Sequence, residues 1–275
     1  MSSFTPKDGV HRGVPFWQYR GWDAINNSSL GAAKQSMLHY RMQEPLKDTP
    51  SLKLGRLVHE MALEPENALR NYVVLPDLTE GIKAKRPKAT NEYKNRLAEF
   101  QELHEDKEIV TQEEYDQMVG CLRSLRSNAR FREYMNGADY ELSILWVDET
   151  SGLRCKARLD ICKPGELIGD IKTTQDASAF EKSIANFDYH RQAAFYMDGA
   201  VAVGLDPKEF CFVPVEKTPP FGCRAAPMAG EAILVGREMY QSALQRIAEA
   251  EAADVWPSYQ DPSVWHLPKW AMGVA

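Results

Sequence analysis

Asp160, Asp170 and Lys172 are the residues whose types and spacing most clearly permit chemistry. They lie in DICKPGELIGDIK (160–172), where two β-prone runs, 153–162 and 167–173, flank the turn signal Lys163-Pro164-Gly165-Glu166. Asp170 and Lys172 are two residues apart, so a strand points both side chains to one face. One hairpin therefore gathers two carboxylates and an ammonium at a single spot. Carboxylates so crowded repel each other and are normally retained only where something positive lies between them. A divalent cation with oxygen ligands meets that need, and the lysine is placed to serve a metal-bound water, as in metal-dependent phosphodiester hydrolysis. The geometry makes a demand: Asp160 must oppose Asp170 rather than Gly169, which requires a connection with an odd number of residues or a bulge. Charges alternating along a strand also mark a plain wet face, and this stretch alone leaves both readings open.

The elements that must position these residues run helices first, then strands, then helices. Residues 1–27 read as an irregular arm carrying Phe16, Trp17, Tyr19 and Trp22. Ser28 or Ser29 is placed to cap a helix to about Tyr40, and Pro50-Ser51 opens another with Leu54, Leu57, Val58 and Met61 at helical spacing. Thr90 starts a helix with Tyr93, Leu97 and Phe100 on one side, and Thr111-Gln112-Glu113-Glu114 is a capping box for one with Tyr115, Met118, Val119, Leu122 and Leu125 inward. Strands are expected at 140–148, 153–162, 167–173 and 209–216, with helices at 176–186, 190–203 and 230–252 and a Pro- and Trp-rich tail. This order predicts an α/β (α+β) fold, a central mixed sheet flanked by helices. Beyond the arm, residues 28–275 form one expected domain: a helical part (28–136), a sheet core (137–228), and a final helix and tail (229–275).

Composition narrows the class. A chain of 275 residues, 44% hydrophobic, buries a full core. Its net charge of −6 advertises no global affinity for nucleic acid, though a local basic track can still hold phosphates. The five cysteines (121, 155, 162, 211 and 223) form no C-x2-C pair, which argues against a zinc ribbon and a disulfide framework. No apolar run reaches membrane length and residues 1–20 are too polar for a signal peptide, so a cytoplasmic protein with reduced thiols is expected.

Further residues decide how the hairpin is read. In Gly55-Arg56-Leu57-Val58-His59, His59 shares a helix face with Gly55, a glycine that lets the helix approach another backbone closely and His59 reach into a site. A histidine satisfied in helix–sheet packing is the plainer alternative. Position 63 is leucine, so His59-Glu60 is no zincin signature. Glu141, in the strand before the hairpin, is either a further acid of the cluster or a solvent-facing residue. Gln192 and Tyr196 lie at i and i+4 on one helix face, suited to bonding phosphate or orienting a neighbour, while Tyr196 equally suits a core.

Gly55-x-x-x-His59, Glu141, Asp160, Asp170-x-Lys172 and Gln192-x-x-x-Tyr196 follow the order of PD-(D/E)XK nucleases of the RecB-like type. Gly55–Glu66 (GRLVHEMALEPE) and Gly152–Ile161 (GLRCKARLDI) resemble the RecE-type exonucleases, exonuclease VIII and its phage relatives. The likeness runs from about Asn26 to Trp270, with Asp170 where Glu is commoner and without the cysteines of the iron–sulfur relatives.

The resemblance implies a restriction-endonuclease-like core and a role for each residue. His59, Asp160, Asp170 and the Ile171 carbonyl would hold one or two Mg²⁺ or Mn²⁺ ions, with Glu141 supporting a second. Lys172 would position or deprotonate the attacking water, and Gln192 and Tyr196 would steady the scissile strand or the lysine. The implied activity is ATP-independent 5′-to-3′ digestion of linear double-stranded DNA, leaving 5′-phosphate products and a 3′ overhang for a single-strand annealing partner. A homo-oligomeric ring (tetramer or trimer) in the cytoplasm of a bacterial host, phage or prophage encoded, belongs to the same expectation.

DNA contacts are sought in the basic loop Lys83, Lys85, Arg86 and Lys88 and along a helix bearing Arg123, Arg126 and Arg130, although a plain solvated face is the simpler account of each. Ser28, Ser29 and Lys34 at a helix start suit a terminal 5′ phosphate, or an ordinary cap. Trp256, Trp265 and Trp270 clasp either the core or a neighbouring subunit. Two rival readings use the same residues: an endonuclease with a different DNA entrance, and a non-catalytic DNA-binding or assembly protein.

Overall fold

The computed structural model describes residues 5–44, 49–259, 261, 264–267 and 272. In chain order the elements are β1 (Gly9–His11), α1 (Phe16–Arg20), α2 (Asn27–Gln35), α3 (Met37–Arg41), α4 (Pro50–Leu63), α5 (Pro65–Asn71), β2 (Tyr72–Val74), α6 (Asn91–Leu103), β3 (Glu108–Val110) and α7 (Gln112–Ser127). There follow α8 (Ala129–Met135), β4 (Asp139–Val147), β5 (Arg154–Lys163), β6 (Leu167–Thr174), α9 (Phe180–Asn186), α10 (Tyr189–Ala202), β7 (Glu209–Glu216), β8 (Ala226–Pro227) and α11 (Gly230–Ala253).

Six strands form one mixed sheet in the order β1-β4-β5-β6-β7-β8, and β2 and β3 pair separately. Only β6 and β7 run parallel within the large sheet, and the crossover between them carries α9 and α10. Parallel neighbours require such a crossover, which is why the helix bearing Gln192 is delivered to the sheet. One face packs Leu142, Ile144, Leu159 and Ile168 against Leu30, Phe195 and Leu244 from α2, α10 and α11. The other packs Ile161, Ile171 and Val213 against Leu57, Val58, Met118 and Phe131 from α4, α7 and α8.

The hairpin meets the sequence's demand. Ile161 pairs with Gly169 and Lys163 with Leu167, leaving the odd connection Pro164-Gly165-Glu166. Continued by one pair, this register sets Asp160 opposite Asp170. The ladder stops there: β5 stays with β4 along its length and β6 with β7, so the sheet forks at the two aspartates. The neighbouring ladder marks the same place. Tyr140–Ile161 and Leu142–Leu159 pair on either side, so Glu141 stands opposite Asp160, with left-handed backbone at φ 49°. Leu159 and Ile161, two residues apart, belong to opposite cores, so the alternation of β5 slips at Asp160.

Several expectations are corrected. The arm is not irregular: β1 pairs with β4, and α1 forms a single turn. Its anchors are the basic residues of β5 at alternate positions, which point to one face. Arg154 bonds Asp8 and the Pro6 carbonyl, Lys156 donates to the Tyr19, Arg20 and Trp22 carbonyls, and Arg158 to that of Val14. Asn26, not Ser28 or Ser29, caps α2, because its side chain accepts from the Ser29 backbone N–H and Ser36 then breaks the helix. Tyr115 is exposed at the start of α7, whose inward face begins at Met118, and α6 contains no buried residue. Pro50 opens α4 as the sequence indicates, with Thr49 as its cap, and Thr90 and the Thr111–Glu114 capping box start α6 and α7 as expected.

Candidate active site

Three neighbouring strands and two helices bring Glu141, Asp160, Asp170, Lys172, His59 and Gln192 to the fork. One ligand atom from each of His59, Glu141 and Asp160 lies within 4.8 Å of the others. α4 crosses the fork, putting His59 Nε2 2.6 Å from the Ile171 carbonyl oxygen and Nδ1 3.2 Å from Asp160 Oδ2. The same Oδ2 accepts from the Ile171 backbone N–H at 2.9 Å. Gly55 is needed less than its sequence position implies. A Cβ there would meet the Thr173 hydroxyl at 3.4 Å, so the approach is to a side chain rather than a backbone.

Asp170 faces the other way. Its Oδ2 accepts from Gln192 Nε2, and its Oδ1 lies 2.5 Å from Lys172 Nζ. That oxygen is fully buried, with the Lys172 ammonium as its charge partner. Lys172 Nζ lies 5.0 Å from the Tyr189 ring centre and 5.9 Å from that of Phe212. The convergent acids are thus Glu141 and Asp160, with Asp170 turned to the lysine and the glutamine.

The electrostatics follow from burying too many carboxylates together. Burial first, and the charge of Asp160 second, raise the Glu141 carboxyl to about 7 despite Arg158. Burial and then Asp170 push Asp160 well above the usual carboxylate range. Burial alone would lower Lys172, but Asp170 and Asp160 outweigh it and raise the ammonium's pKa. Burial lowers His59, leaving the ring neutral. With Nε2 donating to Ile171, the Nδ1 lone pair faces an Asp160 oxygen, a contact that needs a proton or a cation between them. The donor set (crowded carboxylates, a carbonyl oxygen and a neutral imidazole) therefore fits a hard divalent cation.

Arg158 is the functional residue that sequence reasoning missed. It pairs with Glu141, reaches Glu64 at 3.4 Å and holds the arm through the Val14 carbonyl, so it fixes one wall of the site. The available signal was its place two residues before Asp160, on the cationic alternation Arg154, Lys156, Arg158. Asp188 was missed as well. Lys34 donates to both its oxygens at 2.9 Å and Arg191 to one at 3.3 Å, fixing the start of α10 and hence Gln192.

Tyr196, partly buried beside Phe210, stays next to the fork: burial holds its hydroxyl well above the usual phenol pKa, Tyr19, Asp170 and Asp160 add to the shift, and a hydrogen bond with Gln192 opposes it. Other expected positions separate from the fork. Lys34 is committed to Asp188, Ser29 bonds Asn26, and Ser28 is exposed. Lys83, Lys85, Arg86 and Lys88 are all exposed. The expected stripe of Arg123, Arg126 and Arg130 is broken, because Asn128 ends α7 and caps α8, and Arg130 donates to the Ala225 carbonyl. Trp256 packs against Tyr40 with Arg41 over its ring, Trp265 is exposed, and Trp270 lies outside the described residues.

A solved structure from Eubacterium rectale, named "Putative exonuclease", shares 13% identity over 89% of this chain and 89% of its own, with a TM-score of 0.60. A phage related exonuclease from Haemophilus somnus 129PT covers 64% of this chain and 92% of its own at 12% identity, with a TM-score of 0.34. No curated protein matches the sequence. Residues 27–262, nearly the whole of the chain beyond the arm, match the family described as "PDDEXK-like domain of unknown function (DUF3799)", and the chain belongs to that family.

Proposed function

We propose that the protein is a divalent-metal-dependent nuclease that digests linear double-stranded DNA from its ends in the 5′-to-3′ direction without ATP. The observation that carries the reading is the convergence of His59, Glu141 and Asp160 ligand atoms beside the Asp170–Lys172 pair, where a lysine and excess buried carboxylate share one fork. His59, Asp160, Asp170 and the Ile171 carbonyl would hold Mg²⁺ or Mn²⁺, with Glu141 completing the cluster or serving a second ion. When bound, the cation supplies Lewis-acid polarisation of the phosphate and neutralises charge developing on the leaving oxygen.

The chain's own groups do the rest. Lys172, held as an ammonium by Asp170 and backed by the Tyr189 ring, orients the attacking water, whose proton leaves to solvent, and offsets charge developing on the phosphate. Gln192 fixes Asp170 so that the lysine keeps its angle to the strand. Arg158 keeps Glu141 turned into the site. Attack in line with the 3′ oxygen would leave 5′ phosphates and, after processive digestion, a 3′ overhang suited to an annealing partner. The resemblance to RecE-type enzymes extends the proposal to a homo-oligomeric ring around the DNA, acting in the host cytoplasm. Consistent with that location, no helix among the described residues is long and apolar enough to cross a membrane.

A linear duplex labelled at the 5′ end of one strand and the 3′ end of the other, alongside a covalently closed circle, tests the mode of cutting. Release of the 5′ label in Mg²⁺, none in EDTA and an intact circle are expected. Cutting of the circle would reassign the protein as an endonuclease, and no cutting of either substrate would favour a DNA-binding module.

A further inference from the structure

Phe187, between α9 and α10, is a large apolar side chain left 64% exposed. It follows neither from the catalytic cluster nor from a core, yet its surroundings are built with care. The next residue, Asp188, is a buried aspartate with left-handed backbone (φ 54°, ψ 38°). A non-glycine residue stays in that region only where its surroundings hold it there, and such residues gather at functional sites. Lys34 on both Asp188 oxygens and Arg191 on one supply the restraint, and Arg191 is itself tied to the Asn27 side chain and carbonyl. The turn this enforces sends Phe187 to solvent and Tyr189 inward over Lys172.

The rings form a path to the reacting end of the site. The Phe187 and Tyr189 centres are 5.6 Å apart, and Tyr189 lies 5.0 Å from Lys172 Nζ. Phe180 and Phe212 brace Tyr189 from behind, so the exposed ring rests on a rigid base. At about 3.4 Å per nucleotide along a strand, Phe187 stands within roughly three nucleotides of a phosphate held at Lys172. An apolar, rigid, solvent-facing ring at that distance from a phosphate site matches the π-face of an unpaired base, which stacks on aromatic side chains irrespective of sequence.

We propose that Phe187 is the stacking platform for an unpaired nucleobase of the strand being hydrolysed, so that the enzyme works on a strand end peeled from its complement. This rests on the nuclease reading above and adds the state of the substrate: the cut strand is single at the point of cutting. The occupant is a base of the substrate strand rather than a second copy of the chain, because the ring path ends on the group that faces the scissile phosphate.

The test uses the full chain in Mg²⁺ on duplexes with paired or frayed 5′ ends, comparing wild type with Phe187→Ala and Phe187→Trp. In parallel, Lys172→Ala protein is irradiated with DNA carrying 5-iodouracil near the 5′ end, and the attachment point is mapped by mass spectrometry. The expected result is an approximately 10-fold rise in KM for Phe187→Ala with kcat nearly unchanged, restored by tryptophan, and a photoadduct on Phe187. Frayed ends should lessen the defect. An unchanged KM, an adduct confined to the exposed Phe16 or Trp17 of the arm, or a changed oligomeric state in its place would overturn the assignment and leave the nuclease reading intact. Failure of the wild type to cut either DNA would remove the nuclease reading and this proposal together.

Discussion

Two lysines on neighbouring strands, the buried Lys156 and the partly buried Lys172, show how one residue type serves two purposes. Lys156 is 3% exposed, and its three carbonyl acceptors from Tyr19, Arg20 and Trp22 match its three protons. Burial brings its pKa down to about 8, although Asp23 resists the shift. Every bond is satisfied, and the result is a clamp on the arm. Lys172 instead faces two carboxylates, Asp170 at 2.5 Å and Asp160 beyond it, and their charges raise its pKa against the effect of burial. Around it sit more negative charges than the lysine can neutralise. A buried cation with matched neutral acceptors builds structure, whereas one set among surplus carboxylates marks a place prepared for another positive charge.

The largest expected effect separates the two lysines by activity. Lys172→Ala should lower cleavage by about 10²–10³-fold while the chain remains folded by circular dichroism, because a positioned cation beside the developing charge is lost. Lys156→Ala should reverse the pattern. Three buried carbonyls lose their donor, so thermal or urea unfolding should show a loss of about 1–3 kcal/mol, with turnover per folded molecule nearly preserved.

The contrast explains what the sequence could show. The period-two spacing of Asp170 and Lys172, and the three residues of Pro164-Gly165-Glu166, set both the shared face and the register of Asp160, because strand geometry is local. His59 and Gln192 were legible only as ordered members of a pattern, since their approach to β6 depends on how α4 and α10 dock. The arm was misread for the same reason. β1 is three residues long with no apolar run of its own, and its place is set by Arg154, Lys156 and Arg158 more than a hundred residues away. Asp188 gave no local signal either, because its left-handed turn is held by Lys34 from α2.

A smaller effect sharpens the comparison at the acids. Asp160→Asn removes one crowded carboxylate, so the metal-free protein should melt at higher temperature than wild type. Its Mn²⁺ affinity should fall by about 10–100-fold or more in a calorimetric titration. The two shifts have opposite signs, as expected of a site whose stability is sacrificed to bind a cation.

The smallest expected effect is in pH. Glu141 is raised from 4.5 to about 7, so between those values the folded chain holds a proton that the unfolded chain has released. The stability this provides is complete below about 4.5 and is lost as pH rises through about 7. In the proposed function a bound divalent cation would take the place of that proton. The melting-temperature gain from Mg²⁺ should therefore be larger near about pH 8 than near about pH 6, read by thermal denaturation with and without EDTA.

The most direct test measures Mn²⁺ binding by electron paramagnetic resonance and DNA hydrolysis in the same preparations of wild type, Lys172→Ala and Lys156→Ala. The account predicts that all three bind Mn²⁺ with similar affinity and that only Lys172→Ala loses hydrolysis. Wild-type protein that binds no Mn²⁺, or Lys172→Ala that cuts at the wild-type rate, would contradict the assignment of the β5–β6 fork as the catalytic metal centre.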